Sequence, residues 1–184
     1  MEESGDNWLH LWIILPPNSF GHGPIALWAK LPTPITPNSQ TVFIGEYQHN
    51  LDDKNRLLVP SKFRAALAAG AVVTRGLDNC LFLYPLPEWQ KLSQKIADLP
   101  LGQAKSRAFA RLMLAGAMEV EMDRLGRITL PEYLKSFAGL KKAVVITGLM
   151  NRLEIWEESA WRSYQSQTER DSTDIAENLG SLGV

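Results

Sequence analysis

The sequence predicts an α+β fold made of two tandem copies of one ββαββ unit, with helices between the copies and after the second. A repeated motif is the first observation behind this prediction. Asp52-Asp53-Lys54-Asn55-Arg56 ends four residues before Pro60, and Asp123-Arg124-Leu125-Gly126-Arg127 ends at the same distance before Pro131. The match continues downstream, where Val73-Thr74-Arg75-Gly76-Leu77 is answered by Val145-Ile146-Thr147-Gly148-Leu149. A spaced pattern of this length indicates an internal repeat.

Short apolar runs bounded by turn residues give the elements of the first copy. We expect strands at 42–47 and 56–59, a helix from 61 to about 69, and strands at 71–74 and 80–84. Pro60 closes the second strand, and Ser61 is a suitable cap for the helix. Gly70 then ends that helix.

The second copy repeats this order. We expect strands at 118–122 and 127–130, a short helix at 131–137, and strands at 143–147 and 153–156. Helical periodicity predicts connecting helices at 88–99 and 104–117, and a C-terminal helix from about 171 to 179. A unit of about 60 residues buries too little apolar surface to be stable alone. The two copies, or several chains, are therefore expected to share a core.

These elements divide the chain into five segments. The predicted segments are a Pro-rich leader at 1–41, a first repeat at 42–89, connecting helices at 90–117, a second repeat at 118–161, and a C-terminal helix and tail at 162–184. The leader is expected to be poorly ordered, because six prolines interrupt it and it matches neither repeat. Val42 is expected to mark the natural start, since valine is encoded by GTG, which also initiates translation in bacteria. The alternative is that residues 1–41 form a genuine, disordered N-terminal arm.

Composition excludes several classes of protein. The single cysteine, Cys80, permits no intrachain disulfide, which fits a reducing compartment. No apolar run approaches the ~20 residues of a membrane span. The net charge of −1 does not indicate nucleic-acid binding, but the charge is uneven. Residues 52–75 carry five basic and two acidic side chains, whereas residues 154–177 carry seven acidic and two basic ones. A local basic surface is what steers a polyanion.

The Asp-x-x-Gly-Arg motif has a physical explanation. Its aspartate can accept hydrogen bonds from backbone N–H groups of the turn, and its fourth residue needs a positive φ. Gly126 supplies that conformation in the second copy, and Asn55 tolerates it in the first. The arginine, Arg56 or Arg127, then begins the next strand. Together with Asp52 and Asp123, these residues define two turn motifs, which are equally compatible with plain hairpin turns.

The residues around the first motif resemble the opening of the MraZ family of bacterial transcriptional regulators. The resemblance rests on Phe43-Ile44-Gly45-Glu46-Tyr47, His49, Leu51 to Lys54, Arg56-Leu57, Val59-Pro60 and Lys62-Phe63-Arg64, and on Gly148 to Asn151 with Leu153, Ile155 and Trp156 in the second copy. It covers 42–184. It implies tandem swapped-hairpin units of the SpoVT/AbrB type, assembly into a ring, and binding to short repeated sites on double-stranded DNA.

The same resemblance assigns functional residues. The DNA-contacting arginine of the family falls on Arg56, and Lys54, Lys62 and Arg64 are the neighbouring basic candidates. Asn55 departs from the usual glycine. The family's sites lie upstream of its own cell-division and cell-wall gene cluster, so repression of that cluster at the cytoplasmic nucleoid is expected, with no cofactor or metal.

Two other functions compete with this expectation. Glu46, His49, Asp52 and Asp53 could form an acid–base or metal cluster, but the sequence lacks a metal-ligand spacing, a phosphate loop and a nucleophile elbow. We therefore expect no enzyme and no catalytic residue. The second competitor is an antitoxin-like module of the same fold, which would bind a protein through its acidic C-terminal segment.

Overall fold

The computed structural model of the protein describes residues 42–180. The predictions of a poorly ordered leader and of a start at Val42 concern residues 1–41, which lie outside the described residues. Residues 181–184 of the predicted tail lie outside them as well.

The described range consists of two ββαββ repeats, each followed by two helices. The first repeat contains β1 (Phe43–Asn50), β2 (Arg56–Leu58), α1 (Ser61–Leu67), β3 (Ala71–Arg75) and β4 (Leu81–Pro85), and α2 (Leu86–Ala97) and α3 (Ala104–Leu114) follow it. The second contains β5 (Met118–Val120), β6 (Arg127–Thr129), α4 (Glu132–Phe137), β7 (Ala143–Met150) and β8 (Arg152–Glu157), and α5 (Glu158–Arg170) and α6 (Ser172–Gly180) follow it. The predicted α+β class and tandem repeat are confirmed.

The two repeats exchange strands. One antiparallel sheet has the order β1-β7-β8-β4-β3-β5, so β1 of the first repeat pairs with β7 of the second. In return, β5 of the second repeat pairs with β3 of the first. The short strands β2 and β6 form a separate two-stranded ribbon. Each repeat therefore completes the sheet of the other, which is how two marginal units form one core.

Two apolar clusters cover the two faces of the large sheet, and β4 shows the alternation clearly. Leu81 and Leu83 belong to the larger cluster, to which both repeats contribute, whereas Phe82 and Tyr84 face a smaller one. The smaller cluster is closed by residues from α2 and α3, among them Met113. Cys80 is buried in it, and burial raises the pKa of its thiol, as expected of a small apolar core residue.

Three local expectations were wrong. Helix α5 was not predicted, although Trp161 repeats Trp89 of α2 and both helices directly follow the last strand of their repeat. Ser61 is the first residue of α1, and Pro60 precedes it without a side-chain cap. Helical periodicity puts Phe109 and Met113 on one apolar side of α3, but only Met113 is buried, whereas Phe109 is 37% exposed.

Candidate nucleic-acid interface

The β2–β6 ribbon brings the two arginine motifs side by side. In its register Leu58 pairs with Arg127, and Arg56 pairs with Thr129. Leu57 and its partner Ile128 are buried, at 1% and 0% exposure, so the alternating residues project from the opposite face. Arg56 and Arg127 therefore share the outer face of one ribbon.

Each motif forms the predicted turn. Asp52 Oδ1 accepts hydrogen bonds from the backbone N–H groups of Lys54 and Arg56, both at 2.9 Å. Asn55 has a φ of 57°, which confirms the expected left-handed position. The second motif has the same geometry, because Asp123 Oδ1 accepts from Leu125 and Arg127.

The second oxygen of each aspartate holds the arginine of its own motif. Arg56 Nε donates to Asp52 Oδ2 at 2.6 Å, and Arg127 Nε donates to Asp123 Oδ2 at 2.8 Å. Arg127 Nη2 also lies 2.7 Å from Asp123 Oδ2, and Arg127 Nη1 lies 3.7 Å from Asp52 Oδ2. The two motifs therefore form one charged cluster across the repeats.

Hydrogen bonding keeps both carboxyl groups ionised. The pKa of Asp123 falls from 3.8 to about 2, and the hydrogen bond from the Arg127 side chain is the largest cause. For Asp52 the leading cause is the backbone N–H of Arg56, which also lowers its pKa. Asp52 and Asp123 thus orient the arginines at neutral pH. Asp52 uses only Nε of Arg56, whereas all three nitrogens of Arg127 lie within ion-pair distance of a carboxylate.

Reciprocal backbone bonds lock the two turns together. Val59 N donates to the carbonyl of Gly126 at 3.0 Å, and Leu130 N donates to the carbonyl of Asn55 at 2.9 Å. Asn55 Nδ2 also donates to Glu132 Oε2 at 2.7 Å, a contact that no local sequence pattern indicates. Asn55, which stands in place of the usual glycine, therefore adds a side-chain hydrogen bond to the second repeat.

The other predicted basic residues are placed differently. Lys54 is exposed beside Arg56. Lys62 Nζ instead donates to the carbonyl of Ile44 at 2.6 Å and lies 4.7 Å from the Tyr47 ring centre. Arg64 is half-buried, and its Nε donates to the carbonyl of Val59 at 2.9 Å. Lys62 and Arg64 thus make contacts with the fold that the sequence did not predict.

One further basic residue was missed. Arg124 is exposed in the second turn, where it takes the place that Asp53 has in the first. The repeat pattern itself could have identified it, because it stands within the motif. We refer to Lys54, Arg56, Arg124 and Arg127 as the arginine surface.

The competing metal cluster is not formed by the described residues. His49 is half-buried on β1, and burial followed by the charge of Arg64 lowers its pKa. Among residues 42–180, no group of three or more His, Cys, Asp or Glu side chains could hold a metal ion. No helix in that range is long and apolar enough to cross a membrane.

The family model described as "MraZ protein, putative antitoxin-like" matches this chain twice, at residues 42–112 and 113–181. The chain belongs to the MraZ family. Proteins named transcriptional regulator MraZ are similar to it over 143 residues, which is 78% of this chain and the full length of each relative. The identity is 50% for Natranaerobius thermophilus, 46% for Acetivibrio thermocellus and 45% for Halothermothrix orenii.

Proposed function

We propose that this chain is a sequence-specific DNA-binding transcriptional regulator that binds short repeated operator sites as an oligomeric ring. It represses its own division and cell-wall gene cluster at the nucleoid, and it has no catalytic role. The observation that carries this proposal is the pair of arginines, one from each repeat, on the outer face of the β2–β6 ribbon. Membership of a family whose relatives are named transcriptional regulators supports it.

The arginine surface has the chemistry that DNA recognition needs. Asp52 engages Arg56 through Nε alone, so the two terminal nitrogens remain for another acceptor. A guanidinium presents parallel donors that match a phosphate or the O6 and N7 atoms of guanine. A side chain that its own turn already orients loses less conformational entropy on binding than a mobile one. A two-stranded ribbon is also narrow enough to enter the major groove.

Multiple copies explain how so small a surface could be specific. The arginine surface offers four cations, and each phosphate contact gives a modest, salt-dependent affinity. Several surfaces on one assembly would engage several repeats together, which raises the effective concentration of each. The proposal therefore couples oligomerisation to repeated operators.

An antitoxin-like role is the second candidate, because the matching family model is described as antitoxin-like. The acidic residues of α5 and α6 would then contact a protein partner rather than DNA. Among the described residues, neither helix has a buried side chain, so both present free surface.

Binding to DNA from upstream of the chain's own gene tests the proposal. Fluorescence anisotropy at 50 mM and 200 mM salt should show binding that weakens steeply, since each neutralised phosphate contributes about 0.9 to the logarithmic slope. A duplex of the same composition with shuffled repeats is the control and should bind more weakly. Equal affinity for both duplexes would contradict sequence specificity. Absence of binding at either salt would leave the antitoxin-like role as the better account.

A further inference from the structure

A cavity of about 510 Å³ lies beside β7, β8 and α5 of the second repeat, and its wall also contains residues of the first repeat, namely Gly45, Glu46, Leu77, Asp78 and Phe82. Its lining includes Thr147 from β7, Glu154 and Trp156 from β8, and Trp161 and Tyr164 from α5. None of these residues belongs to the arginine surface, so the cavity needs its own explanation.

Two polar groups in the cavity wall are left without a partner. Thr147 is only 6% exposed, and its Oγ1 makes no hydrogen bond; Trp161 Nε1 is buried and makes none either. By contrast, Glu154 accepts from Arg152 and from Trp156 Nε1, so the charged residues satisfy one another. Buried donors without acceptors are costly and are rare in folded proteins. A surface that carries hydrogen-bond acceptors would therefore suit these two donors.

The first repeat shows what occupies the corresponding place there. Thr74 pairs with Phe82 across β3 and β4, and Thr147 pairs with Glu154 across β7 and β8. Phe82 and Glu154 are equivalent in the repeat, so strand register makes Thr147 the counterpart of Thr74. The repeat read from sequence matches Thr147 with Arg75 instead, because the chain from Thr147 to its partner Glu154 is one residue shorter than the chain from Thr74 to its partner Phe82.

The two equivalent threonines have different surroundings. Thr74 Oγ1 donates to the carbonyl of Met113 at 2.6 Å, in the last turn of α3. Met113 also belongs to the apolar cluster on that face of the sheet. In the first repeat the site is thus filled by the C-terminal end of an amphipathic helix, which satisfies the threonine.

The helix in the corresponding position of the second repeat is α6, but it does not cover the cavity of its own chain. Six residues, 98–103, separate α2 from α3, whereas Asp171 alone separates α5 from α6. Asp171 N donates to the carbonyl of Gln167, and Ile175 N donates to that of Asp171, so the backbone has no room to turn back. Ile175 and Leu179 are each 40% exposed, and α6 has no buried residue.

We propose that α6 of a second copy of this chain docks in the cavity, as α3 does within the first repeat. Carbonyl groups at its C-terminal end accept from Thr147 Oγ1 and Trp161 Nε1, and Ile175 and Leu179 pack on the aromatic wall. This contact joins different surfaces of two copies, and repeated head-to-tail contacts of that kind close into rings. The inference rests on the oligomer in the proposed function and assigns its interface.

Cysteine cross-linking between two single variants tests this contact. Leu77 lines the cavity and is 51% exposed. Every variant also carries Cys80→Ala, because the Cys80 thiol donates to the carbonyl of Leu77 at 3.0 Å and would compete for a cysteine at position 77. Leu77→Cys and Leu179→Cys chains are unfolded together, refolded as a mixture and mildly oxidised. Peptide mass spectrometry should then find an interchain disulfide between positions 77 and 179. Leu101→Cys, at a 75% exposed position in the connection between α2 and α3, is the matched control and should give no such link to position 179.

Other outcomes would overturn the assignment. If light scattering shows that the wild-type chain assembles but no 77–179 disulfide forms, the interface lies elsewhere and the proposed ring survives. A 77–179 disulfide within one chain of the double variant, formed in preference to an interchain one, would mean that each α6 fills its own cavity. A wild-type chain that stays monomeric at micromolar concentration would remove both the contact and the ring.

Discussion

At the scale of single residues, the turn motifs and strand contacts depend on where a side chain can and cannot be accommodated. Gly148 is a clear case, because a Cβ on it would lie 2.6 Å from backbone atoms of Ile44 and Phe43. Because Gly148 has no side chain, β7 can lie directly against β1. Gly139 differs, since a Cβ there would meet nothing within 4 Å, although its φ is +58°.

Gly148→Ala should therefore destabilise the fold more than Gly139→Ala. The first change forces two strands apart, which costs roughly 3 kcal/mol, at the upper end of overpacking. The second costs about 1 kcal/mol, because only the left-handed backbone opposes it. Urea unfolding of both variants measures the difference. Equal losses would show that β1 yields easily and that the contact does not constrain the sheet.

Asp123 gives a pH-dependent prediction. Its pKa falls from 3.8 to about 2 on folding, so the stability it contributes is fully present above pH 4. That contribution is lost as the pH falls towards 2, where the folded carboxylate binds its proton. The difference in unfolding free energy between the wild type and Asp123→Asn should accordingly shrink between pH 5 and pH 2.5. A constant difference over this interval would mean that the bonds from Arg127 do not stabilise the carboxylate.

At the scale of elements, the exchange of strands decides what can fold. β1 is paired with β7, and β3 with β5, so neither repeat has a complete sheet of its own. We expect the fragments 42–117 and 118–180 to be unfolded as monomers, and an equimolar mixture to regain strand and helix signals by circular dichroism. A monomeric fragment 42–117 that unfolds cooperatively would contradict this account.

The sequence predicted most elements because its repeat and its turn residues are local signals. The two Asp motifs fixed both turns, including the positive φ of Asn55 and Gly126. Helix α5 was missed because the stretch after Trp161 is strongly polar, and none of the residues of the helix is buried. The match of Trp161 with Trp89 was the available signal, because Trp89 lies in a helix that was predicted.

Long-range contacts account for the other failures. The bond between Asn55 and Glu132 joins residues that are 77 positions apart. The contacts of Lys62 with Ile44 and of Arg64 with Val59 likewise depend on how α1 packs. The sequence grouped Lys62 and Arg64 with Arg56 because all three are basic. In the fold, Lys62 and Arg64 instead donate to backbone carbonyl groups. Their role in DNA binding stays a prediction.

At the scale of the whole molecule, the proposed assembly rests on the exposed surface of α6 and on the cavity. We expect light scattering at micromolar concentration to give a single species whose mass is a multiple of the 20.6 kDa chain. Leu179→Asp should lower that mass, since it places a charge in the proposed contact, whereas Leu101→Asp should leave it unchanged. A stable wild-type species of 20.6 kDa would contradict the ring.

The central claim is that Arg56 and Arg127 form one DNA-reading surface, with Arg56 as the principal contact. Arg56 gives only Nε to Asp52, whereas Arg127 lies within ion-pair distance of both Asp52 and Asp123. Arg56 thus has more donors left for DNA, and the nearby Glu119 and Glu121 make the second motif less attractive to phosphate.

Operator affinity of three alanine variants tests this claim most directly. Arg56→Ala should abolish specific binding, because every arginine surface of the assembly loses a bidentate contact worth roughly 1–3 kcal/mol, while folding and oligomer mass stay unchanged. Arg127→Ala should weaken binding less, and Lys91→Ala, which removes an exposed charge from α2, should have no effect. Wild-type affinity in the Arg56→Ala variant, with its fold and assembly intact, would contradict the account.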